Sequence, residues 1–140
     1  MAPARHRLYS GFPTQTVLLM AELQDTGVSF SPYFEIPPER MDEFRGLVDE
    51  FVAATKNEPG CLYYGFCFHG NQALCREGYA DGDAFLAHLD NVGELFARAQ
   101  QVAKVTRMEM HGPEPELAKL RAPLAELDIV WFTQDCGFRR

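Results

Sequence analysis

Alternating bulky and smaller side chains mark the middle of the chain as a β-hairpin. The bulky positions of the first strand are Leu62, Tyr64, Phe66 and Phe68, a period of two that is typical of a strand with one bulky face. A Gly-Asn pair at residues 70–71 favours a tight turn, so residues 73–79 are predicted to return as the partner strand. We expect one face of the hairpin to pair Phe68 with Ala73, Phe66 with Cys75, Tyr64 with Glu77 and Leu62 with Tyr79.

Apolar residues at helical spacing predict an amphipathic helix on each side of this hairpin. Before it, residues 41–55 carry an apolar side chain every three or four positions after a Pro-Pro start. After it, Asp81 supplies a helix N-cap and residues 84–102 carry one apolar stripe. His88 lies inside that stripe, so its imidazole is expected to face the sheet.

The order of these elements predicts an α+β fold. Further strands are expected at residues 28–36 and 105–110, which gives the order strand, helix, strand, strand, helix, strand. This is the split βαβ or ferredoxin-like pattern, an antiparallel sheet with both helices on one face. Pro32 cannot donate to a neighbouring strand, so a bulge is expected near it. The uncovered sheet face is expected to bury itself against a second copy of the chain.

The predicted elements divide the chain into one domain and two additions. Residues 1–27 are predicted to be an N-terminal arm that could add an extra strand, and residues 28–111 are predicted to form the ferredoxin-like domain. Residues 112–140 are predicted to extend the same domain. Within this extension, the pattern indicates a third helix over residues 115–127 and a strand over residues 128–133.

Composition and charge narrow the class of protein. A length of 140 residues, 46% of them hydrophobic and 24% charged, suits one globular domain. The net charge of -7 disfavours nucleic acid and anionic membranes as partners, because both bind positive surfaces. No apolar run approaches the roughly 20 residues of a membrane span, and the N-terminal residues lack a convincing secretion signal. A cytoplasmic protein is therefore expected.

The cysteines do not have the spacing of a metal site. Cys61, Cys67, Cys75 and Cys136 include no C-x-x-C pair and have no paired histidines nearby. The first three fall on predicted strands at positions where a small apolar side chain fits. We interpret them as reduced core thiols, and we expect no metal ion.

Four side chains of the central stretch are candidates for a functional site. Tyr64, Glu77 and Tyr79 share the sheet face that is covered by the helix stripe containing His88. A carboxylate that faces an apolar stripe is costly unless it is paired, so Glu77 is expected either to pair with His88 or to line a wet cavity. A purely structural interpretation is also open, in which the histidine and carboxylate satisfy each other and the tyrosines pack in the core.

The same stretch resembles a known family. Its motifs are E-P-G-C-L-Y-Y at residues 58–64, E-G-Y at residues 77–79 and D-x-x-A-F-x-x-H-L at residues 81–89. Together they are similar to the antibiotic biosynthesis monooxygenase domain of the dimeric α+β barrel superfamily, over residues 28–110. The resemblance implies a homodimer whose two sheets close a barrel, with a cavity in each subunit between the sheet and the helices.

The resemblance also implies a chemistry. Members of the family oxidise phenols or quinols with O₂ without metal or flavin, so we expect a quinol or polyphenol monooxygenase that uses no cofactor. The resemblance places Tyr64, Glu77, Tyr79 and His88 at the cavity. Because this chemistry needs a base that titrates near neutral pH, His88 and Glu77 are the catalytic candidates. The expected substrate contacts are Tyr64, Tyr79, Phe66 and Phe85. Other members degrade haem. That activity is disfavoured because the first strand lacks the asparagine that those members use, and Tyr79 stands where many relatives have tryptophan.

A second class of function stays open beside the enzyme. The chain could be a non-catalytic dimeric module that binds a small aromatic ligand or has a structural role. That alternative predicts a cavity filled by Phe66, Phe85 and Tyr79. The enzyme predicts an open cavity with His88 and Glu77 at its wall.

Overall fold

A computed structural model describes residues 25–140, which form five strands and three α-helices. Their order is β1 (Val28–Glu35), α1 (Met41–Thr55), β2 (Cys61–His69), β3 (Gln72–Tyr79), α2 (Gly82–Val102), β4 (Lys104–Gly112), α3 (Glu114–Arg121) and β5 (Val130–Thr133). A 3₁₀ turn, Pro38–Arg40, leads into α1. The predicted N-terminal arm, residues 1–27, lies outside the described residues except for residues 25–27.

The strands form one mixed sheet in the order β2-β3-β1-β4-β5. The hairpin strands β2 and β3, and β1 with both of its neighbours, pair antiparallel, whereas β5 joins the edge parallel to β4. The predicted α+β, ferredoxin-like fold is confirmed, with β5 as an additional edge strand. Residues 25–140 form an open sheet, so the closed barrel of two chains stays a prediction.

Pro32 disturbs the sheet in the middle of β1, as expected. Pairing of β1 with β3 is interrupted after Phe30 and resumes at Tyr33. On the other side, the β1–β4 register shifts between Tyr33 and Phe34. Since proline has no N–H to donate, a continuous ladder cannot form on both sides of this strand.

The hairpin register is confirmed for the pairs Phe68 with Ala73, Phe66 with Cys75 and Tyr64 with Glu77. The fourth predicted pair is wrong, because the register shifts between Cys61 and Tyr63. Cys61, rather than Leu62, lies opposite Tyr79. Leu62 is consequently turned out of the core, and 48% of its surface is exposed.

Both long helices cover the same face of the sheet. Helix α1 buries Phe44, Leu47 and Phe51, and α2 buries Phe85 and Val92 together with His88. The rings of Phe34 on β1 and Phe44 on α1 lie 5.2 Å apart, centroid to centroid, and join the two layers. This packing fixes which side chains of β1, β2 and β3 can line a cavity under α2.

The cysteine prediction holds only in part. Cys75 is buried and Cys61 is half-buried, but Cys67 is exposed, so its interpretation as a core thiol is wrong. Cys67 lies between Phe66 and Phe68 on β2, and alternation turns it to the uncovered face.

Among residues 25–140, no cluster of His, Cys, Asp and Glu has the geometry to hold a metal ion. No helix in this part of the chain is long and apolar enough to span a membrane.

Helix α3 is shorter than predicted, ending at Arg121 because Pro123 follows two residues later. Its buried residues Leu117 and Leu120 join the core cluster around Phe85. The Gly82 backbone N–H donates to Glu116 Oε1 at 3.1 Å, which ties α3 to the N-terminus of α2.

The start of α2 offers a test of the helix assignment. Asp81 Oδ1 accepts the Ala84 backbone N–H at 2.8 Å, so Asp81→Ala is expected to lower the free energy of unfolding by about 1 kcal/mol. Asp90→Ala, on the exposed face of the same helix, is the matched control and should change it by less than about 0.5 kcal/mol. Urea unfolding measures both variants, and equal effects would contradict the role of the cap.

Candidate functional site

His88 is buried between the sheet and α2, with 2% of its surface exposed. Three aromatic rings surround the imidazole: the ring centroids of Tyr79, Tyr64 and Phe85 lie 5.0, 5.5 and 6.2 Å from its own. It faces the sheet, as its place in the apolar stripe predicted. An ionisable group is therefore held inside the hydrophobic core.

Glu58 binds one nitrogen of this histidine. Its two carboxylate oxygens lie 2.9 and 3.0 Å from His88 Nδ1. Asn91 fixes the carboxylate in turn, since its Nδ2 donates to Glu58 Oε2 at 2.8 Å and to the Ala54 carbonyl at 3.0 Å. With Nδ1 donating its proton to Glu58, Nε2 is the nitrogen that can accept a proton.

Glu77 lies on the other side of the imidazole and has 3% of its surface exposed. Its Oε2 is 3.5 Å from His88 Nε2. The Tyr79 hydroxyl donates to the same oxygen at 3.1 Å, and the Cys75 thiol lies 3.5 Å from it. Cys75 and Tyr79 flank Glu77 two residues away along β3, so the strand's alternation brings all three to one face.

Burial sets the charge state of this cluster. It raises the pKa of Glu77 to about 8, and the hydrogen bonds from Tyr79 and Cys75 offset only part of that effect. Burial also lowers the pKa of His88, against the opposite influence of Glu58. Near pH 7, a protonated Glu77 therefore faces a neutral His88. The pair avoids a buried charge and places a proton donor beside a proton acceptor.

A cavity of about 120 Å³ lies beside these groups. Its wall is mostly aromatic and aliphatic, and along α2 it runs from His88 through Val92 and Phe96 to Gln100. That is about 18 Å of helix at 1.5 Å per residue. Gln100 is exposed, so the cavity reaches the surface at that end. Leu127, from the irregular segment after α3, also lines it.

The structure brings most of the predicted site residues to this cavity, whose wall includes His88, Glu77, Tyr64 and Phe66. Tyr79 and Phe85 do not line it. They are 0% and 1% exposed and pack against each other with centroids 5.3 Å apart, behind Glu77 and His88. Because they fill the space behind the polar pair, they leave the cavity itself open.

Sequence reasoning missed several residues of the site. Glu58 appeared only as part of a turn motif, and 30 residues separate it from His88. The sequence feature that could have indicated Glu58 is its position. It is a carboxylate next to Pro-Gly, just after a helix that packs against the helix with the buried histidine. Gln100 lies beyond the last residues that the motifs cover. Leu127 was predicted as the last residue of the third helix, whereas the structure places it in the irregular segment after α3. Neither position carried a signal that it would line the cavity.

The raised pKa of Glu77 makes a prediction about stability. A carboxyl that binds its proton more tightly when folded stabilises the protein fully below its unfolded pKa, and that contribution is lost as pH rises towards about 8. Glu77→Gln removes this dependence. Relative to the wild type, its free energy of unfolding should rise by up to about 1.4 kcal/mol per pH unit between pH 6.5 and 8.

Urea unfolding of both proteins at several pH values measures this difference. Glu126→Gln, at an exposed position, is the matched control and should show a constant difference from the wild type. A constant difference for Glu77→Gln as well would contradict a raised pKa in the folded protein.

Comparison with known proteins places this chain in a family. The sequence profile described as antibiotic biosynthesis monooxygenase matches residues 32–102, half of the chain. Among solved structures, MupZ from Pseudomonas fluorescens is 44% identical with a TM-score of 0.78, and the alignment covers 81% of this chain and 94% of MupZ. A comparison with curated proteins gives no significant match.

Two further structures are similar at lower identity. Rv0793 from Mycobacterium tuberculosis is 21% identical with a TM-score of 0.56, over 62% of this chain and 94% of that one. SnoaB from Streptomyces nogalater, a cofactor-independent oxygenase, is 18% identical with a TM-score of 0.51, over 61% of this chain and 88% of that one. Both matches show the fold alone. By its profile match and its identity to MupZ, the chain belongs to the antibiotic biosynthesis monooxygenase family.

Proposed function

We propose that this protein is a cofactor-independent monooxygenase that oxidises a small quinol or polyphenol with O₂. One observation carries the proposal: the free Nε2 of a neutral His88 faces the buried Glu77 carboxyl at the wall of an apolar cavity. Membership of the family supports it. So does the fold shared with SnoaB, which is a cofactor-independent oxygenase.

The first step of the proposed reaction is removal of a proton from a phenol. His88 Nε2 accepts the hydroxyl proton, and the imidazolium that forms is stabilised by Glu58 at Nδ1. The protonated Glu77 and the Tyr64 hydroxyl can donate hydrogen bonds to the phenolate oxygen. The base is suited to this step because its Nδ1 hydrogen bond holds Nε2 towards the cavity.

The second step transfers electrons from the phenolate to O₂ inside the cavity. One oxygen atom bonds to the ring carbon para to the hydroxyl, and the other leaves as water. The hydroxyl and the para carbon each lose one hydrogen, and both hydrogens end in the water molecule. The organic product is therefore a para-quinone. The substrate supplies all the electrons, and no external reductant is needed. The apolar wall keeps bulk water from the intermediates.

The size of the cavity indicates which polyphenols fit. A volume of about 120 Å³ is close to the space that holds a single aromatic ring. Phe66 on β2, Phe34 on β1 and Phe51 on α1 all line this space. Of the two substrate classes we therefore favour a polyphenol with one aromatic ring, because fused rings would require these side chains to move. The route to a para-quinone also needs an unsubstituted carbon para to a hydroxyl, which a para-quinol lacks.

A second candidate function is favoured by the protonated Glu77. A carboxyl that can donate a proton, beside an imidazole that can accept one, suits acid–base catalysis of a reaction that does not use O₂, such as an isomerisation. The two candidates share the same residues. Turnover without O₂ would favour the second, and absence of any turnover would favour the non-catalytic ligand-binding module.

We also propose that two copies associate through the uncovered face of the sheet. Tyr63 on β2 and Phe132 on β5 lie on this face with 46% and 45% of their surfaces exposed. Tyr63 lies over Gly78, where an added Cβ would be 2.4 Å from the tyrosine ring. This close packing gives the sheet an exposed aromatic surface that a second copy can cover.

The domain boundaries are likewise a proposal, with residues 28–111 as the family domain and residues 112–140 as its extension. The pairing of β5 with β4 supports a single domain. The hydrogen bond between Glu116 and Gly82 supports it as well, because it joins the extension to the N-terminus of α2.

The enzyme proposal predicts that His88→Ala lowers kcat/KM for a one-ring polyphenol by about 100- to 10,000-fold, because the base is removed. Oxygen uptake measured with an electrode checks this. Labelling with ¹⁸O₂ should place one labelled atom in the quinone and one in water. His69→Ala, at the exposed end of β2, is the matched control and should leave turnover unchanged. Wild-type turnover in the His88 variant would exclude His88 as the base.

The dimer proposal predicts that the full chain sediments at twice the monomer mass. Tyr63→Glu and Phe132→Glu should shift it to the monomer, because each puts a charge on the proposed interface. Val52 lies on α1 and has 42% of its surface exposed. Val52→Glu is therefore the matched control and should leave the dimer intact. A monomeric wild-type chain at micromolar concentration would overturn this proposal.

A further inference from the structure

We propose that Glu58 is a positioning residue that fixes the tautomer of His88 and carries its proton from the buried cavity to solvent. The juxtaposition behind this proposal is a histidine held between a deeply buried carboxyl, Glu77, and a partly exposed one, Glu58. The inference deepens the proposed function and rests on the role of His88 as a base.

The tautomer follows from how Glu58 is held. Both of its oxygens lie within 3.0 Å of His88 Nδ1, and a carboxylate can only accept from that nitrogen. Asn91, one turn after His88 on α2, donates to Glu58 as well as to Ala54. The carboxylate is thus anchored from α2 and from the end of α1. Nδ1 keeps the proton, and Nε2 is left open towards the cavity.

A gradient of exposure runs through the three residues. The side chains of Glu77 and His88 are each 3% exposed, whereas that of Glu58 is 13% exposed. Glu58 also lines a surface depression of about 200 Å³, next to Lys56 and Tyr63. A proton that reaches Glu58 can therefore pass to water, whereas the cavity on the other side of the imidazole has a mostly apolar wall.

The proposed transfer moves one proton and no electrons. The substrate O–H bond breaks as the Nε2–H bond of His88 forms. The Nδ1–H bond then breaks, and an O–H bond forms on Glu58, which releases the proton to water. Without that second transfer, the cavity would hold an imidazolium after each deprotonation, and a buried charge of this kind is costly. Glu58 removes that charge and leaves a neutral imidazole protonated at Nε2. When one oxygen atom leaves as water, the Nε2–H bond breaks to supply one of its hydrogens, and Glu58 returns a proton from solvent to Nδ1, which restores the starting tautomer.

The other groups around the imidazole do not offer this exit. The titratable side chains that face this cluster are Glu77, Tyr79 and Cys75 on β3, and Tyr64 and Cys61 on β2. Burial raises the pKa of each one, so near pH 7 they keep their own protons. Among the described residues that contact His88, Glu58 is the group placed to accept its Nδ1 proton.

The test is ¹⁵N NMR of the full chain labelled at histidine, because it reads the tautomer and the titration of His88 without any substrate. In the wild type, Nδ1 should carry the proton at pH 7. In Glu58→Gln, which keeps the shape and removes the charge, the pKa of His88 should fall by at least about one unit. The tautomer should become mixed, because a glutamine can also donate to Nδ1.

Two further variants complete the test. Asn91→Ala, which leaves the Glu58 charge in place, should shift the titration in the same direction but by less, and it gives a second measurement if Glu58→Gln does not fold. Glu126→Gln, at an exposed position of the extension, is the matched control and should leave the His88 signals unchanged. Wild-type tautomer and titration in the folded Glu58 and Asn91 variants would overturn the proposal.

Turnover separates this inference from the proposed function. With an active polyphenol, Glu58→Gln should lower kcat by about 10- to 100-fold with KM little changed, and kcat should fall less when a small diffusible base such as imidazole is added. Altered His88 signals without any turnover would support the positioning role and count against the monooxygenase. Normal turnover in Glu58→Gln would overturn the proton path even if the tautomer changes.

Discussion

The burial of one carboxyl group, that of Glu77, is the constraint on which the rest of the site depends. A strand position that faces a helix stripe normally carries an apolar side chain, and a charge there would cost more than most single interactions can return. The fold meets this cost by keeping the carboxyl protonated and surrounding it with donors on its own strand, Tyr79 and Cys75. His88 on α2 completes the arrangement from the opposite layer.

The cost of burying a charge also decides where the neutral and the charged groups of the cluster lie. Inside the core, Glu77 and His88 are both neutral near pH 7, so the pair holds no charge. The carboxylate that completes the cluster, Glu58, is placed at the edge of the core, where water reaches it. The exposure of the polar residues therefore increases from Glu77 to Glu58. This arrangement favours stability, because an ion pair buried at the position of Glu77 would offer little net stabilisation.

Regular periodicity explains how much of this could be predicted. The period of two predicted that Tyr64 and Glu77 pair across the hairpin, and the helical period turned His88 towards them. The period failed at Leu62, because a register shift changes which residue faces the core and leaves no mark in the hydrophobic pattern. Glu58 was missed for a related reason. Turn residues have no period, and their partners are set by tertiary packing.

The part of the cavity contributed by Leu127 has a consequence for divergence within the family. The family profile matches residues 32–102, so Leu127 lies outside the matched region. Glu58, Glu77 and His88 all lie within the matched region. A substitution at Leu127 can therefore reshape the cavity wall without removing a hydrogen-bonding partner of His88. Such a division lets selection alter the shape of the cavity while the polar cluster around His88 stays intact.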